Sequence, residues 1–132
     1  MIVVDASALV AIGDSEPDAL DYLRVLEQAD IAVVGVINAL ETGIVLMGRG
    51  RLQTPEDVDN WLARLGVEVD GSSLTSREVL VAYATYGKGR HPARLNLGDC
   101  FAYALAKRLD APLLYKGGDF ALTDIRPALQ PT

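Results

Sequence analysis

The sequence predicts an α/β fold, with a central parallel sheet of four or five strands between two layers of helices. Short apolar runs alternate along the chain with segments of helical periodicity, which is typical of parallel strands joined by helices. The first run, 2–4, is apolar on both faces, as expected of a strand covered on both sides. Half of the 132 residues are hydrophobic, so we expect one domain, 1–132, with a sizeable core.

Bulk composition excludes several classes of protein. A net charge of −6 argues against a protein that binds nucleic acid through its overall charge, so any such contact must be local. The single cysteine, Cys100, cannot form an intrachain disulfide and suggests a buried thiol in a reducing cytoplasm. No apolar stretch is long enough to cross a membrane, and Asp5 makes the N-terminus a poor signal peptide.

The strands follow from the apolar runs. The predicted strands are 2–4, 31–34, 67–69 and 112–115, with 123–125 as a candidate fifth strand at the edge. Between these strands we predict a helix directly after 2–4 and further helices that begin near Pro17, near Asn38 and at Thr54. Another helix covers about 73–86, and the last one ends at about Leu109. Their predicted apolar sides include Leu20, Leu23 and Leu26, then Leu40, Ile44 and Met47, then Val58, Trp61, Leu62 and Leu65, then Val79, Ala82, Tyr83 and Tyr86.

Three helix starts carry recognisable signals. Thr54 and Pro55 form a cap followed by a proline at the first helical position. Asn38 and Glu41 have the spacing of a capping box, which gives Glu41 a purely structural alternative role. Asp99 lies in the first turn of a helix that is apolar nearly all round and therefore buried.

Four acidic residues could meet at one edge of this fold. Asp5 and Asp119 each follow a strand, while Glu41 and Asp99 are each expected in the first turn of a helix. With ordinary βα connections, all four positions lie beyond the carboxyl ends of the strands, where ligand sites occur in open α/β sheets. Taken singly, each acid is better explained as a cap or a turn residue.

A cluster of carboxylates needs a counter-ion. Two carboxylates about 4 Å apart repel by roughly 4 kcal/mol at an effective dielectric of 20. Ligands that are all oxygen, without cysteine or paired histidine, suit Mg²⁺, with Mn²⁺ as the alternative. Such an ion can orient a phosphodiester, activate water and stabilise the departing oxygen.

A basic loop precedes Asp99. It contains Lys88, Arg90 and Arg94, together with the only histidine, His91. The three cations are candidates for contacts with RNA phosphates, and the alternative is a solvated loop. His91 has the chemistry of a general acid, although a loop histidine is more often a bystander.

At these residues the sequence resembles the PIN-domain ribonucleases, specifically the VapC toxins of type II toxin–antitoxin modules. The resemblance covers essentially the whole chain. It is carried by VDASAL (4–9), NALE (38–41), YGKGRH (86–91) continuing through LNLGDCFAYALAK (95–107), LYKGGDF (114–120) and TDI (123–125). The third of these pieces is the most specific.

The resemblance implies a metal-dependent endoribonuclease with an α/β/α fold. It implies that Asp5, Glu41 and Asp99 are the principal acids, Asp5 and Asp99 being the metal ligands, and that Asp119 is the fourth acid. Accessory roles fall to Ser7, Thr123 and Asp124. Two departures stand out: Asn38 replaces a frequent Ser or Thr, and Gly118 replaces a frequent acid, which leaves the choice between one and two ions open.

The resemblance also implies partners. These are an RNA substrate, a second copy of the chain in a homodimer, and a VapB-like antitoxin whose basic tail would suit the acidic site; which RNA is cut stays open. One alternative is a PIN module that acts mainly by binding. Another is a phosphatase or receiver-like protein, but Ser7 stands where a phosphatase needs a second Asp, and the adjacent acids of a receiver are missing.

Overall fold

A computed structural model describes residues 1–71 and 74–130 of the chain. Within them, four parallel strands form one sheet in the order β3-β2-β1-β4. The strands are β1 (Ile2–Val4), β2 (Ala32–Gly35), β3 (Val67–Asp70) and β4 (Leu113–Leu114). The helices are α1 (Ala6–Gly13), α2 (Ala19–Gln28), α3 (Val36–Gly48), α4 (Pro55–Arg64), α5 (Ser76–Tyr86) and α6 (Leu97–Arg108), followed by a 3₁₀ turn (Phe120–Leu122).

Successive side chains of each strand point to opposite faces of the sheet, so there are two hydrophobic cores, one on each face. Val3 and Leu113 face the helices α5 and α6, where they join a cluster that includes Leu105. Val4 and Leu114 face the opposite side and pack with residues of α1, α2 and α4. The predicted three-layer α/β/α arrangement is therefore confirmed.

The strand order places a crevice at the end of β1. The chain steps outward from β1 to β2 and β3, and then crosses back so that β4 lies on the other side of β1. This reversal is the point at which open α/β sheets bind ligands. Asp5 follows β1 directly, and its backbone N–H donates to the carbonyl oxygen of Leu114 at the end of β4 (2.8 Å).

The start of α4 at Thr54 and the position of Asp99 in the first turn of α6 were predicted correctly. Thr54 caps α4 in a reciprocal capping box with Asp57, and Pro55 is the first helical residue. Asn96 caps α6 in the same way with Asp99. The predicted start of α5 at residue 73 lies outside the described residues, and the described helix begins at Ser76 after the cap Thr75.

The predicted start of α3 at Asn38 is wrong. The helix begins at Val36 after Gly35, which caps it without a side chain. Asn38 is therefore inside the helix, and Glu41 lies beyond the first turn rather than in it. β2 ends directly in α3, with Gly35 as the last residue of the strand and the cap of the helix.

Two further expectations fail. The stretch 123–125 does not pair with the sheet; instead Leu113 forms a single parallel bridge with Pro127, so the described sheet has four strands. In α2 the buried residues are Ala19, Tyr22 and Leu26, whereas Leu20 is exposed, and the helix begins at Ala19 rather than at Pro17.

The apolar side predicted for α3 faces solvent. Four large apolar residues run along the outside of this helix, and we call them the outer α3 stripe: Val36, Leu40, Ile44 and Met47. No helix formed by the described residues is long and apolar enough to span a membrane.

Candidate active site

Asp5 lies at the bottom of the crevice. It is only 4% exposed, and its Oδ2 accepts a hydrogen bond from the backbone N–H of Ser7 (3.0 Å), so it also caps α1. Burial raises the pKa of Asp5, the hydrogen bonds from Ser7 oppose this, and the negative charge of Glu41 raises the pKa further. A carboxylate this deep would be costly to keep ionised unless a positive charge joined it.

Glu41 reaches the same crevice from α3. Its Oε1 accepts a hydrogen bond from Nδ2 of Asn38 (3.1 Å), one turn earlier on the same side of the helix. Burial raises the pKa of Glu41, the charge of Asp99 raises it further, and the Asn38 hydrogen bond lowers it. Glu41 therefore lies within electrostatic reach of both Asp5 and Asp99.

Asp99 approaches from the first turn of α6, as predicted. Its Oδ2 accepts a hydrogen bond from the backbone N–H of Asn96 (3.2 Å). Burial, opposed by that bond and reinforced by the charges of Asp5 and Asp119, raises the pKa of Asp99 to about 6. The four predicted acids are therefore linked pairwise: the charge of Glu41 acts on Asp5, that of Asp99 on Glu41, and those of Asp5 and Asp119 on Asp99.

Asp119 differs from the other three acids in its exposure. It precedes the 3₁₀ turn, is exposed to solvent and makes no capping hydrogen bond with its side chain. Its charge acts on Asp99 from the outer rim of the crevice. The loop that carries it is tied to α1, because the backbone N–H of Lys116 donates to Oγ of Ser7 (2.9 Å).

Thr123 and Asp124 have other partners in this structure. The Thr123 hydroxyl donates to the carbonyl oxygen of Phe120 (2.7 Å) and accepts from the N–H of Ile125. The carboxylate of Asp124 accepts hydrogen bonds from the Tyr103 hydroxyl and from Nζ of Lys107. The Tyr103 bond, with Lys107, keeps the pKa of Asp124 below its ordinary value.

The basic loop lies exposed before α6. Lys88, Arg90 and Arg94 are all exposed, and none of them forms an ion pair with an acid of the described chain. The Arg90 guanidinium lies over the ring of Tyr83, 5.7 Å from its centroid. Nδ1 of His91 accepts the backbone N–H of Ala93 (3.0 Å), so this ring is used in the loop itself.

The donor set suits a hard divalent cation. All four acids offer oxygen ligands, and the raised pKa values of Asp5, Glu41 and Asp99 are consistent with an excess of negative charge. Among residues 1–71 and 74–130, no three or more His, Cys, Asp or Glu side chains are arranged to hold a metal ion. Mg²⁺ does not require that many, since it is commonly held by one or two carboxylates together with water and substrate phosphate.

One polar residue beside this site, Asn38, has a role other than the helix cap predicted from the sequence. Asn38 is 1% exposed and donates from Nδ2 to both Glu41 and the carbonyl oxygen of Gly98 (3.0 Å). A signal was available, since Asn38, Glu41 and Thr42 share one side of an otherwise apolar helix. The resemblance of the first two to a capping box concealed it.

Comparisons with known proteins show the family of this chain. The model of the PIN domain family matches residues 2–125. Ribonuclease VapC30 of Mycobacterium tuberculosis is 41% identical over 131 residues, covering 98% of this chain and all of that protein. Ribonuclease VapC of Mycolicibacterium smegmatis is 42% identical over 125 residues, covering 94% and 97%.

A solved structure has the same fold. The crystal structure of Mycobacterium tuberculosis VapC20, a toxin that cleaves the sarcin–ricin loop, superposes with a TM-score of 0.70 over 96% of this chain and all of that one. The two sequences are 20% identical, so this likeness concerns the fold alone.

Proposed function

This chain belongs to the PIN-domain family and, within it, to the VapC ribonucleases, and from that membership we propose that it is a toxin that hydrolyses RNA with the help of Mg²⁺ held by Asp5 and Asp99. One observation carries the proposal. Asp5, Glu41 and Asp99 come from β1, α3 and α6, and the pKa of each is raised by burial and by the charge of a neighbouring acid. Such a cluster is costly in itself, and a divalent ion would offset the cost.

The four acids have different parts in this proposal. When bound, the ion supplies positive charge that stabilises the phosphodiester and its departing oxygen. Asp5 and Asp99 would hold the ion, and Asp119 would support them. Glu41 accepts the proton of the attacking water, for which its raised pKa is suited.

The basic loop is the proposed contact with RNA. Lys88, Arg90 and Arg94 are exposed next to the helix that carries Asp99, and they are not occupied by acids of the described chain. Phosphate contacts of this kind bind the backbone without selecting a sequence. We therefore expect affinity for RNA to fall with added salt.

Charge and exposed apolar surface support two protein partners, an antitoxin and a second copy of the chain. The net charge of −6 and the acid cluster suit a VapB-like antitoxin with a basic tail that enters the crevice. The outer α3 stripe suits a second copy of the chain, since a two-fold axis would pack the stripe on itself. An RNA substrate and such an antitoxin would meet this chain in the cytoplasm.

The test is cleavage of total cellular RNA by the purified chain, with and without Mg²⁺, followed by mapping of the cut ends. Attack by water leaves 5′-phosphate and 3′-hydroxyl ends. Asp5→Asn should abolish cleavage without unfolding the protein, because an asparagine oxygen can still accept the Ser7 N–H. Asp30→Asn, at the exposed amino end of β2, is the matched control.

Three outcomes would count against the proposal. Cyclic 2′,3′-phosphate ends would mean that the ribose hydroxyl attacks instead of water. Full activity in excess chelator would exclude the ion from the reaction. A fully active Asp5→Asn variant would remove Asp5 from it.

A further inference from the structure

Gly98 leaves a space that the Glu41 carboxylate occupies. It is the second residue of α6, it is buried, and it directly precedes Asp99. A methyl group added at Gly98 would overlap Oε1 of Glu41 and would lie 2.6 Å from both Cδ and Oε2. Real side chains essentially never approach this closely, so the carboxylate would have to move.

The backbone gives no other reason for a glycine here. Four other glycines of the described chain have a positive φ, namely Gly50, Gly66, Gly89 and Gly117, but Gly98 does not. A glycine inside a helix is less favourable than an alanine. Position 98 therefore carries the less stable residue for its conformation, and the three nearest heavy atoms to its missing side chain all belong to Glu41.

Asn38 holds the same carboxylate from the other side. One hydrogen of its Nδ2 goes to Oε1 of Glu41 (3.1 Å) and the other to the carbonyl oxygen of Gly98 (3.0 Å). The Asn38 side chain is fully buried, and the Thr42 hydroxyl donates to the backbone carbonyl oxygen of Asn38 (2.7 Å). One amide thus joins the Glu41 side chain to the first turn of α6.

We propose that Gly98 and Asn38 are positioning residues that together fix the carboxylate of Glu41 against the start of α6. Gly98 supplies the space and Asn38 supplies the donor. The consequence for cleavage rests on the proposed function, in which Glu41 takes the proton of the attacking water. Misplacing a reacting group by about 1 Å can cost about 100-fold in rate.

The decisive variant is Gly98→Ala in the full chain. The atom it displaces is the far end of a flexible side chain and alanine favours the helix, so the melting temperature should stay the same or rise. We expect kcat to fall about 100-fold while KM for RNA changes by less than about twofold. Gly48→Ala, at the end of α3 with no atom within 4 Å of the added carbon, should change neither.

A double-mutant cycle tests whether Gly98 acts through Glu41. In a Glu41→Gln background, Gly98→Ala should cause no further loss of kcat, because the displaced group has already lost its function. An equal loss in both backgrounds would overturn the proposal, as would a Gly98→Ala enzyme with wild-type kcat. Asn38→Asp, which keeps the shape but removes the donor, should behave like Gly98→Ala; if it does not fold, Gly98→Ala decides alone.

A readout independent of RNA separates this proposal from the function itself. The ¹³C chemical shift of the Glu41 carboxylate in the ion-free protein should change in Gly98→Ala and stay constant in Gly48→Ala. An unchanged shift would overturn the positioning role even in an active enzyme. An inactive wild-type chain with the expected shift change would instead contradict the proposed function and leave the positioning role established.

Discussion

Helices α3 and α4 are consecutive in the chain but use their two sides in opposite ways. In α4 the inner side is apolar, with Val58 and Leu62 buried in the core, and the outer side is charged, with Glu56 and Asp59 in solvent. This arrangement contributes stability through burial of apolar surface. Helix α4 supplies none of the four clustered acids.

In α3 the pattern is reversed. Asn38 and Thr42 are fully buried on the inner side, whereas Leu40 and Ile44 are 57% and 62% exposed on the outer side. The buried polar atoms are all hydrogen-bonded within the described residues, so this arrangement is tolerated. The difference indicates that the amino-acid pattern of α3 serves the acid on its inner side and the apolar stripe on its outer side. It does not serve the stability of the isolated chain.

The largest expected effect is on activity, at the inner side of α3. Glu41→Gln should lower kcat by about 100-fold or more, since the proton acceptor is lost. It should not lower the free energy of unfolding, because burial and the charge of Asp99 raise the pKa of Glu41 and so disfavour its ionised form. Glu56→Gln on the exposed first turn of α4 is the control. Cleavage assays measure the activity and urea denaturation measures the stability. A Glu41→Gln variant that is destabilised but active would contradict the assignment of activity to the inner side of α3 and of stability to α4.

The next effect is on stability, at the inner side of α4. Leu62 is 2% exposed, and Leu62→Ala should cost roughly 2–5 kcal/mol in unfolding free energy through the cavity it leaves. Cleavage per folded molecule should remain at the wild-type level. Leu20→Ala, at an exposed position of α2, should cost less than about 0.5 kcal/mol. A loss of specific activity in folded Leu62→Ala would show that α4 also shapes the site.

The same two helices show what could be predicted from the sequence and what could not. Every signal in α4 is local: a cap, a proline at the first position and an apolar stripe that packs within the chain. In α3 the stripe is equally regular, but periodicity does not tell whether its partner belongs to the same chain. Its start was misplaced because β2 runs directly into the helix, while Asn38 and Glu41 have the spacing of a cap.

The sequence indicated which acids could lie near one another, but not the contacts that support them. Asp5, Glu41, Asp99 and Asp119 could be chosen because strand ends and helix starts meet at one edge of a parallel sheet. The contact between Glu41 and Gly98 joins residues far apart in the chain and depends on how α3 packs against α6. No periodicity or local motif contains that information.

A smaller effect concerns the pH dependence of the ion-free protein. Burial, with the charges of Asp5 and Asp119, raises the pKa of Asp99 to about 6 from 3.8 in the unfolded chain. The folded chain therefore binds more protons between these two pH values, and the free energy of unfolding should increase as pH falls through 6 towards 4. The raised pKa values of Asp5 and Glu41 act in the same direction.

Urea denaturation at about pH 7.5 and pH 5 measures this slope. Asp99→Asn should flatten it, and Mg²⁺ should raise stability more at the higher pH, where the carboxylates are ionised. A free energy of unfolding that does not depend on pH in the wild type would mean that solvent screens the charges of these acids. A free energy of unfolding that decreases as pH falls from 6 towards 4 would contradict their burial.

The smallest expected effect on the folded monomer lies on the outer side of α3. Ile44→Ser removes an apolar side chain that is 62% exposed, so monomer stability should change by less than about 0.5 kcal/mol. If the outer α3 stripe packs on a second copy, the same change should weaken self-association, as measured by light scattering over a range of concentrations. Leu20→Ser, equally exposed on α2 but outside the stripe, should leave association unchanged. A wild-type chain that stays monomeric at all concentrations, or equal effects of the two variants, would mean that the reversed pattern of α3 does not serve a dimer.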